Sequence, residues 1–144
     1  RILVAHDFAP FSRPALAVAR GWAEAFRARA RLLFVADGQA SLYDYAAHME
    51  GSFKEYLEKV RAEALARFQR IIAEGWRGPD VEVEAGAAVG DPVEEILREA
   101  GAFAAELLVI GTHSRSGIER LLGSVTTKVV RKATCPVLVV RAAR

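Results

Sequence analysis

The chain reads as an α/β protein with a doubly wound, five-stranded parallel sheet, helices on both faces and strand order 3-2-1-4-5. Three observations predict it. Short apolar, β-branched runs alternate with longer helical patterns along the whole 144 residues, from Ile2-Leu3-Val4-Ala5 to Val137-Leu138-Val139-Val140. Strand-helix units in series specify a parallel sheet with right-handed crossovers. After two such units the chain must return to the other side of the first strand to create a switch point, which places the first and fourth strands side by side.

Ile2 to Ala5 is a buried-type strand, followed by His6-Asp7-Phe8-Ala9-Pro10-Phe11. Ser12 is the expected N-cap of a helix with Pro14 in its first turn, and Leu16, Ala19, Ala23 and Phe26 recur on one face beside Trp22. Arg31 to Ala36 supplies the second strand. From Asp37 to about Gly51 the composition predicts an irregular excursion with some helix, whose Tyr43, Tyr45, His48 and Met49 are expected to cover a helix end, the alternative being a lid or a partner surface. Ser52 to Glu74 is the longest periodic segment, with Phe53, Leu57, Val60, Ala64, Phe68 and Ile71 on one face and charges on the other, ending near Gly75 before a Gly78-Pro79 turn.

Val81-Glu82-Val83-Glu84-Ala85 alternates strictly, so the third strand is expected at or near a sheet edge with its glutamates facing solvent. Asp91 then caps a helix with Pro92 at its first position and Glu94 closing a capping box; Val93, Ile96, Leu97, Ala100 and Phe103 form its apolar face. Glu106 to Gly111 reads as a strand buried on both faces. A loop runs from Gly111 to Gly123, a helix starts at Ser124 as N-cap with Val125, Val129 and Ala133 on one face, and Pro136 precedes the last strand.

A glycine before a helix N-terminus lets backbone approach an anion, and the free amides and dipole of the first turn favour negative charge. Ser124, Thr126 and Thr127 add hydroxyls. The residues alone leave two readings open, a phosphate cradle or a tight loop with a capped helix.

The stretch resembles the ATP-binding signature of the universal stress protein family, in which Gly, two residues, Gly, nine residues and Gly-Ser/Thr lead into a helix and strand. Gly111, Gly123 and Ser124 fit that pattern; Ser114 replaces the middle glycine, and eight residues rather than nine separate Ser114 from Gly123. The strand-Asp-loop-helix opening and the Gly90-Asp91-Pro92 helix start are also similar to the family. The resemblance implies the adenine nucleotide alpha hydrolase-like fold. It implies a site in which Asp7 holds the ribose, Ala5, His6 and Val35 lie by the base, and Ile110, Gly111, Ser114, Gly123, Ser124, Val125 and Thr126 surround the phosphates. Arg115 adds a positive charge there. The implied cofactor is ATP or a related adenine nucleotide, with or without Mg2+.

One domain spanning residues 1–144 is expected at this length. A net charge of +2 makes no broad case for nucleic acid, although sixteen arginines stand against four lysines. The single Cys135 excludes an internal disulfide and fits a cytoplasmic setting. The opening strand predicts no signal peptide, and no stretch has membrane-spanning length. No nucleophile-base pair, metal cluster or Walker lysine is apparent, and His113 with Ser114 and Ser116 makes no triad by sequence alone. A histidine-rich nucleotidyl-transfer motif is absent, and Asp80 and Lys128 do not complete a phosphoacceptor site around Asp7. Binding with little or no turnover is therefore expected. The alternative is a nucleotide-free interaction module of the same fold. An apolar last strand at a sheet edge predicts a symmetric dimer through Val137, Leu138, Val139 and Val140.

Overall fold

The structure, a computed structural model, describes residues 1–48, 51–76, 81–112 and 123–141. Five parallel strands run β1 (Ile2–Ala5), β2 (Ala30–Asp37), β3 (Val83–Gly90), β4 (Leu107–Gly111) and β5 (Val137–Val140), in the order β3-β2-β1-β4-β5. This is the predicted doubly wound sheet. β1 is central, with Ala5 in register with Leu33 of β2 and Ile110 of β4; β1 and β4 end within one residue of each other, while β2 runs on to Asp37 beside β3.

One face of the sheet is covered by α1 (Arg13–Phe26) and α3 (Phe53–Gly75), the other by α4 (Pro92–Ala102) and α5 (Ser124–Lys132). Alternation along each buried strand sorts the side chains. Leu3, Ala5, Leu33, Leu108 and Ile110 pack towards α4 and α5, whereas Ile2, Val4, Leu32 and Val109 pack towards α1 and α3. Phe68 is the largest fully buried side chain, and it anchors α3.

Local signals explain the helix starts. Asp91 accepts hydrogen bonds from the Val93 and Glu94 amides at 2.9 and 3.0 Å, with Pro92 in the first turn. The full reciprocal capping box lies instead at Ser52 and Glu55, a signal available in the sequence and passed over there. α4 buries Val93, Ile96 and Ala100, with Leu97 half-buried beside them, and Phe103 at its C-cap is buried in the same cluster.

Four expectations change. The irregular stretch after Asp37 is an eleven-residue helix, α2 (Gly38–His48). α1 buries Ala15, Ala19 and Ala23, which let it lie close on the sheet, while Trp22 and Phe26 are 43% and 69% exposed. Glu84 is not a plain solvent-facing residue: it pairs with Arg29 at 3.1 Å and Arg31 at 2.6 Å, and Arg31 goes on to Glu99 at 3.1 Å. Ser124 is the first residue of α5 and Gly123 is its N-cap, without a side-chain capping bond. The Gly78-Pro79 turn, Met49 and Asp80 lie outside the described residues.

Candidate functional site

β1 delivers His6 and Asp7 to the carboxyl edge beside the switch point. The His6 amide still donates to Leu33 O at 2.9 Å, so sheet order persists one residue past the strand. Asp7 is exposed, and its Oδ1 accepts from the Ala9 amide at 3.0 Å and from Ser12 Oγ at 2.6 Å. The carboxylate thus caps the turn that leads through a 3-10 segment (Pro10–Ser12) into α1. Ser12 uses its hydroxyl as a donor towards Asp7 rather than as an acceptor for α1.

Gly111 ends β4 against this turn. A Cβ there would lie 3.0 Å from Ser12 Cα and 3.2 Å from Ser12 Cβ, so only glycine allows the backbone segments to approach so closely. On the other side, buried Thr126 Oγ1 donates to Gly111 O at 3.0 Å and fixes α5 to the end of β4. Contacts therefore run from Asp7 through Ser12 and Gly111 to Thr126. The first intrahelical bond of α5 is Thr127 N to Gly123 O at 2.9 Å. The amides of Ser124, Val125 and Thr126 precede it and have no intrahelical acceptor. Gly123 has φ −55°, which any residue adopts, so backbone conformation does not explain the glycine.

The side chains at the edge divide between the two faces. Ala5 and Val35 belong with the α4/α5 core. His6 points to the opposite face, its ring 5.2 Å from Phe8 and 6.2 Å from Phe68. It is 5% exposed, and Nδ1 has no hydrogen-bond partner. Burial lowers its pKa to about 4; Asp7 works in the opposite sense, and Arg67 and Arg13 add to the lowering. Phe8, at φ 61°, occupies the left-handed region that a bulky residue rarely adopts. Its ring packs 4.7 Å from Phe68 and 5.4 Å from Phe34, with the Arg67 guanidinium 4.1 Å above it.

Ala5, Asp7, Ile110, Gly111, Gly123, Ser124, Val125 and Thr126 thus lie along one carboxyl edge of the sheet, with Val35 on the next strand. His6 contributes its backbone there and its side chain elsewhere. Ser114 and Arg115 lie outside the described residues. Sequence reading missed Ser12 and Phe8: serine-to-aspartate contacts within one turn carry no pattern, and a left-handed phenylalanine has no sequence signature. Among the described residues no group of three metal-ligating side chains converges, and no helix is long and apolar enough to cross a membrane.

The profile of the universal stress protein family matches residues 1–141. The chain belongs to this family. A universal stress protein of Thermus aquaticus, encoded 3′ of a QAH/OAS sulfhydrylase, is 36% identical over 142 residues, covering 97% of each chain. The Methanocaldococcus jannaschii universal stress protein MJ0531 is 40% identical over 96 residues, which cover 64% of this chain but only 54% of that protein. Among solved structures, that of M. jannaschii MJ0577 superposes with a TM-score of 0.79 at 26% identity, covering 99% of this chain and 96% of that one. A universal stress protein in complex with cAMP superposes with a TM-score of 0.66 at 27% identity, covering 99% and 96%.

Proposed function

We propose that this universal stress protein binds an adenine nucleotide, ATP in the first instance, at the carboxyl ends of β1 and β4, as a stress-response switch or binding protein with little or no turnover. The observation that carries the reading is the run of contacts from Asp7 through Ser12 and Gly111 to Thr126. It brings an exposed carboxylate and the N-terminus of α5 to one edge of the sheet. Asp7 takes the ribose hydroxyls, and Ala5 and Val35 lie against the base. Ile110, Gly111, Gly123 and the first-turn amides of Ser124, Val125 and Thr126 receive the phosphates, as helix N-termini do. The family pattern assigns Ser114 and Arg115, which lie outside the described residues, to the phosphates as well. The relative solved with cAMP supports an adenine nucleotide as the ligand class. With no metal cluster among the described residues, Mg2+ would be held chiefly by the phosphates.

The chain acts in the cytoplasm as a single domain and a homodimer. β5 is an edge strand, and all four of its residues are only half-buried. Trp22 and Phe26, with ring centroids 5.6 Å apart, add exposed aromatic surface on α1, which packs on β5.

Calorimetric titration with ATP, with and without Mg2+, tests the reading. Saturable binding that Gly123→Val abolishes is expected, read at a temperature where the variant is fully folded, because valine is a poorer N-cap than glycine although the backbone angles at Gly123 admit it. No heat at millimolar ATP would end it. A second reading, the nucleotide-free interaction module, is favoured by the use of Asp7 Oδ1 and Thr126 Oγ1 in internal bonds. It predicts that ATP leaves the melting temperature and dimerisation unchanged while a protein partner copurifies.

A further inference from the structure

A groove of about 790 Å³ runs between α1 and α3, on the face of the sheet opposite Ala5 and Val35. Its volume falls in the range of small-molecule sites. His6 and Phe8 lie at one end, Leu16, Ala17 and Ile71 along its length, and Gly75 and Trp76 at the other end. Arg13, Arg20, Arg67 and Arg70 line it against only Glu24 and Glu74. Glu24 is taken by Arg20 at 2.7 Å, and the Arg20 guanidinium lies 3.4 Å from where a Gly75 Cβ would be, at the end of α3. Among the described residues no carboxylate reaches ion-pair distance of Arg13, Arg67 or Arg70. Arg13 sits in the first turn of α1, where the helix dipole disfavours a cation. A chain with net charge of only +2 has therefore concentrated uncompensated arginines beside a buried, neutral histidine.

Arg13, Arg20 and Arg70 are exposed and Arg67 is half-buried over the Phe8 ring, so the four stay hydrated but set a positive potential along the groove that favours an entering anion. The apolar strip from Phe8 to Trp76 would hold a hydrocarbon or aromatic body, and Arg13, Arg67 and Arg70 its charged head. We propose that the α1–α3 groove is a second binding site, distinct from the β1/β4 crevice, for a small organic anion: a carboxylate or phosphate carried on an apolar body. Guanidinium pairs well with either oxyanion. Occupancy would act on the same turn as the nucleotide, because Phe8 and Arg67 belong to the groove and Phe8 follows Asp7 directly.

Trp76 supplies the readout. The chain has two tryptophans, so Trp22→Phe leaves Trp76 as the sole reporter inside the groove. The full chain in this background is titrated with decanoate, decyl phosphate, decyltrimethylammonium and ATP. A saturable fluorescence change with at least one of the two anions is expected, the tighter anion identifying the head group, with none from the cation. Arg67→Gln/Arg70→Gln should weaken it by about tenfold or more. Ala17→Phe, which fills the groove from an exposed position, should block it while the melting temperature is kept. Calorimetric ATP binding in the same variants reports separately on the crevice. Equal response to the cation, no response to either anion, an unchanged affinity in the arginine variant, or full displacement by ATP would each overturn the second site.

Discussion

Thr126 Oγ1 and the carbonyl oxygen of Gly111, 3.0 Å apart and buried, join the first turn of α5 to the carboxyl end of β4. This bond orients the helix N-terminus towards the crevice. It also commits the threonine's only side-chain donor, so any hydrogen bond Thr126 donates to phosphate comes from its amide. Thr126→Val keeps the shape and removes the donor, which should cost about 1–3 kcal/mol for a buried bond lost. Thr126→Ser should recover most of that. If the bond positions the helix, Thr126→Val weakens ATP binding in calorimetry and Thr126→Ser does not. Equal ATP affinity in both would confine the bond to stability.

Gly111 has no room for a side chain. Backbone at Ser12 Cα would lie 3.0 Å from a new Cβ, and backbone yields less readily than the end of a flexible side chain. Gly111→Ala should therefore lower stability by about 1–3 kcal/mol, as overpacking does. The displaced Ser12 should pull on Asp7, with which it shares a 2.6 Å bond. Urea denaturation measures the first effect. The second is read as weaker ATP binding at a temperature where the variant is fully folded.

The sheet was legible because its cause is local and repeated. Val4, Leu32, Val109 and Leu138 sit in apolar runs too short for helices, and the helix signals between them force parallel connections. The edge position of β3 followed from the alternation around Glu82 and Glu84. α2 was legible only as some helix within an irregular excursion, because its Gly38, Tyr43 and Tyr45 follow no apolar stripe: the helix is held by the Asp37 carboxylate, which accepts from the Gln39 and Ala40 amides at 2.9 and 3.2 Å, and by packing on α3. In the site, Asp7, Gly111 and Gly123 stood out through chain position and residue type. Ser12 did not, since its role exists only once Gly111 of a distant strand is brought against it. The direction of His6 was equally hidden: strand alternation sets it on the face of Phe68, whereas proximity in sequence had grouped it with Ala5 and Val35.

His6 makes stability depend on pH. Its pKa is about 4 in the fold, against 6.5 for the unperturbed group. Between those values the unfolded chain binds more protons, so stability rises with pH through this window and is lost as pH falls. From pH 7.5 to pH 5 the loss attributable to His6 is about 2 kcal/mol, or roughly 4–8 °C in melting temperature. His6→Leu cannot titrate and should show a correspondingly smaller drop over the same interval. Equal drops in parent and variant would place the acid sensitivity in other groups.

The edge of β5 offers a test of the dimer that leaves the fold intact. Leu108 N donates to Pro136 O and Thr112 N to Val140 O, each at 2.9 Å, so the polar groups of Pro136, Leu138 and Val140 face β4. By alternation the amides of Val137 and Val139 point outwards, along the free edge. A symmetric partner would pair with them. Proline is tolerated where a strand's N–H faces away from its sheet, so Val139→Pro should fold, with its melting temperature lowered only modestly, and sediment as a monomer at concentrations where the parent is a dimer. Trp22→Glu/Phe26→Glu tests the flanking surface on α1 and should weaken association without touching the strand. If Val139→Pro remains dimeric, the contact does not run through β5; if only the α1 variant dissociates, the aromatic pair rather than the strand edge carries the interface.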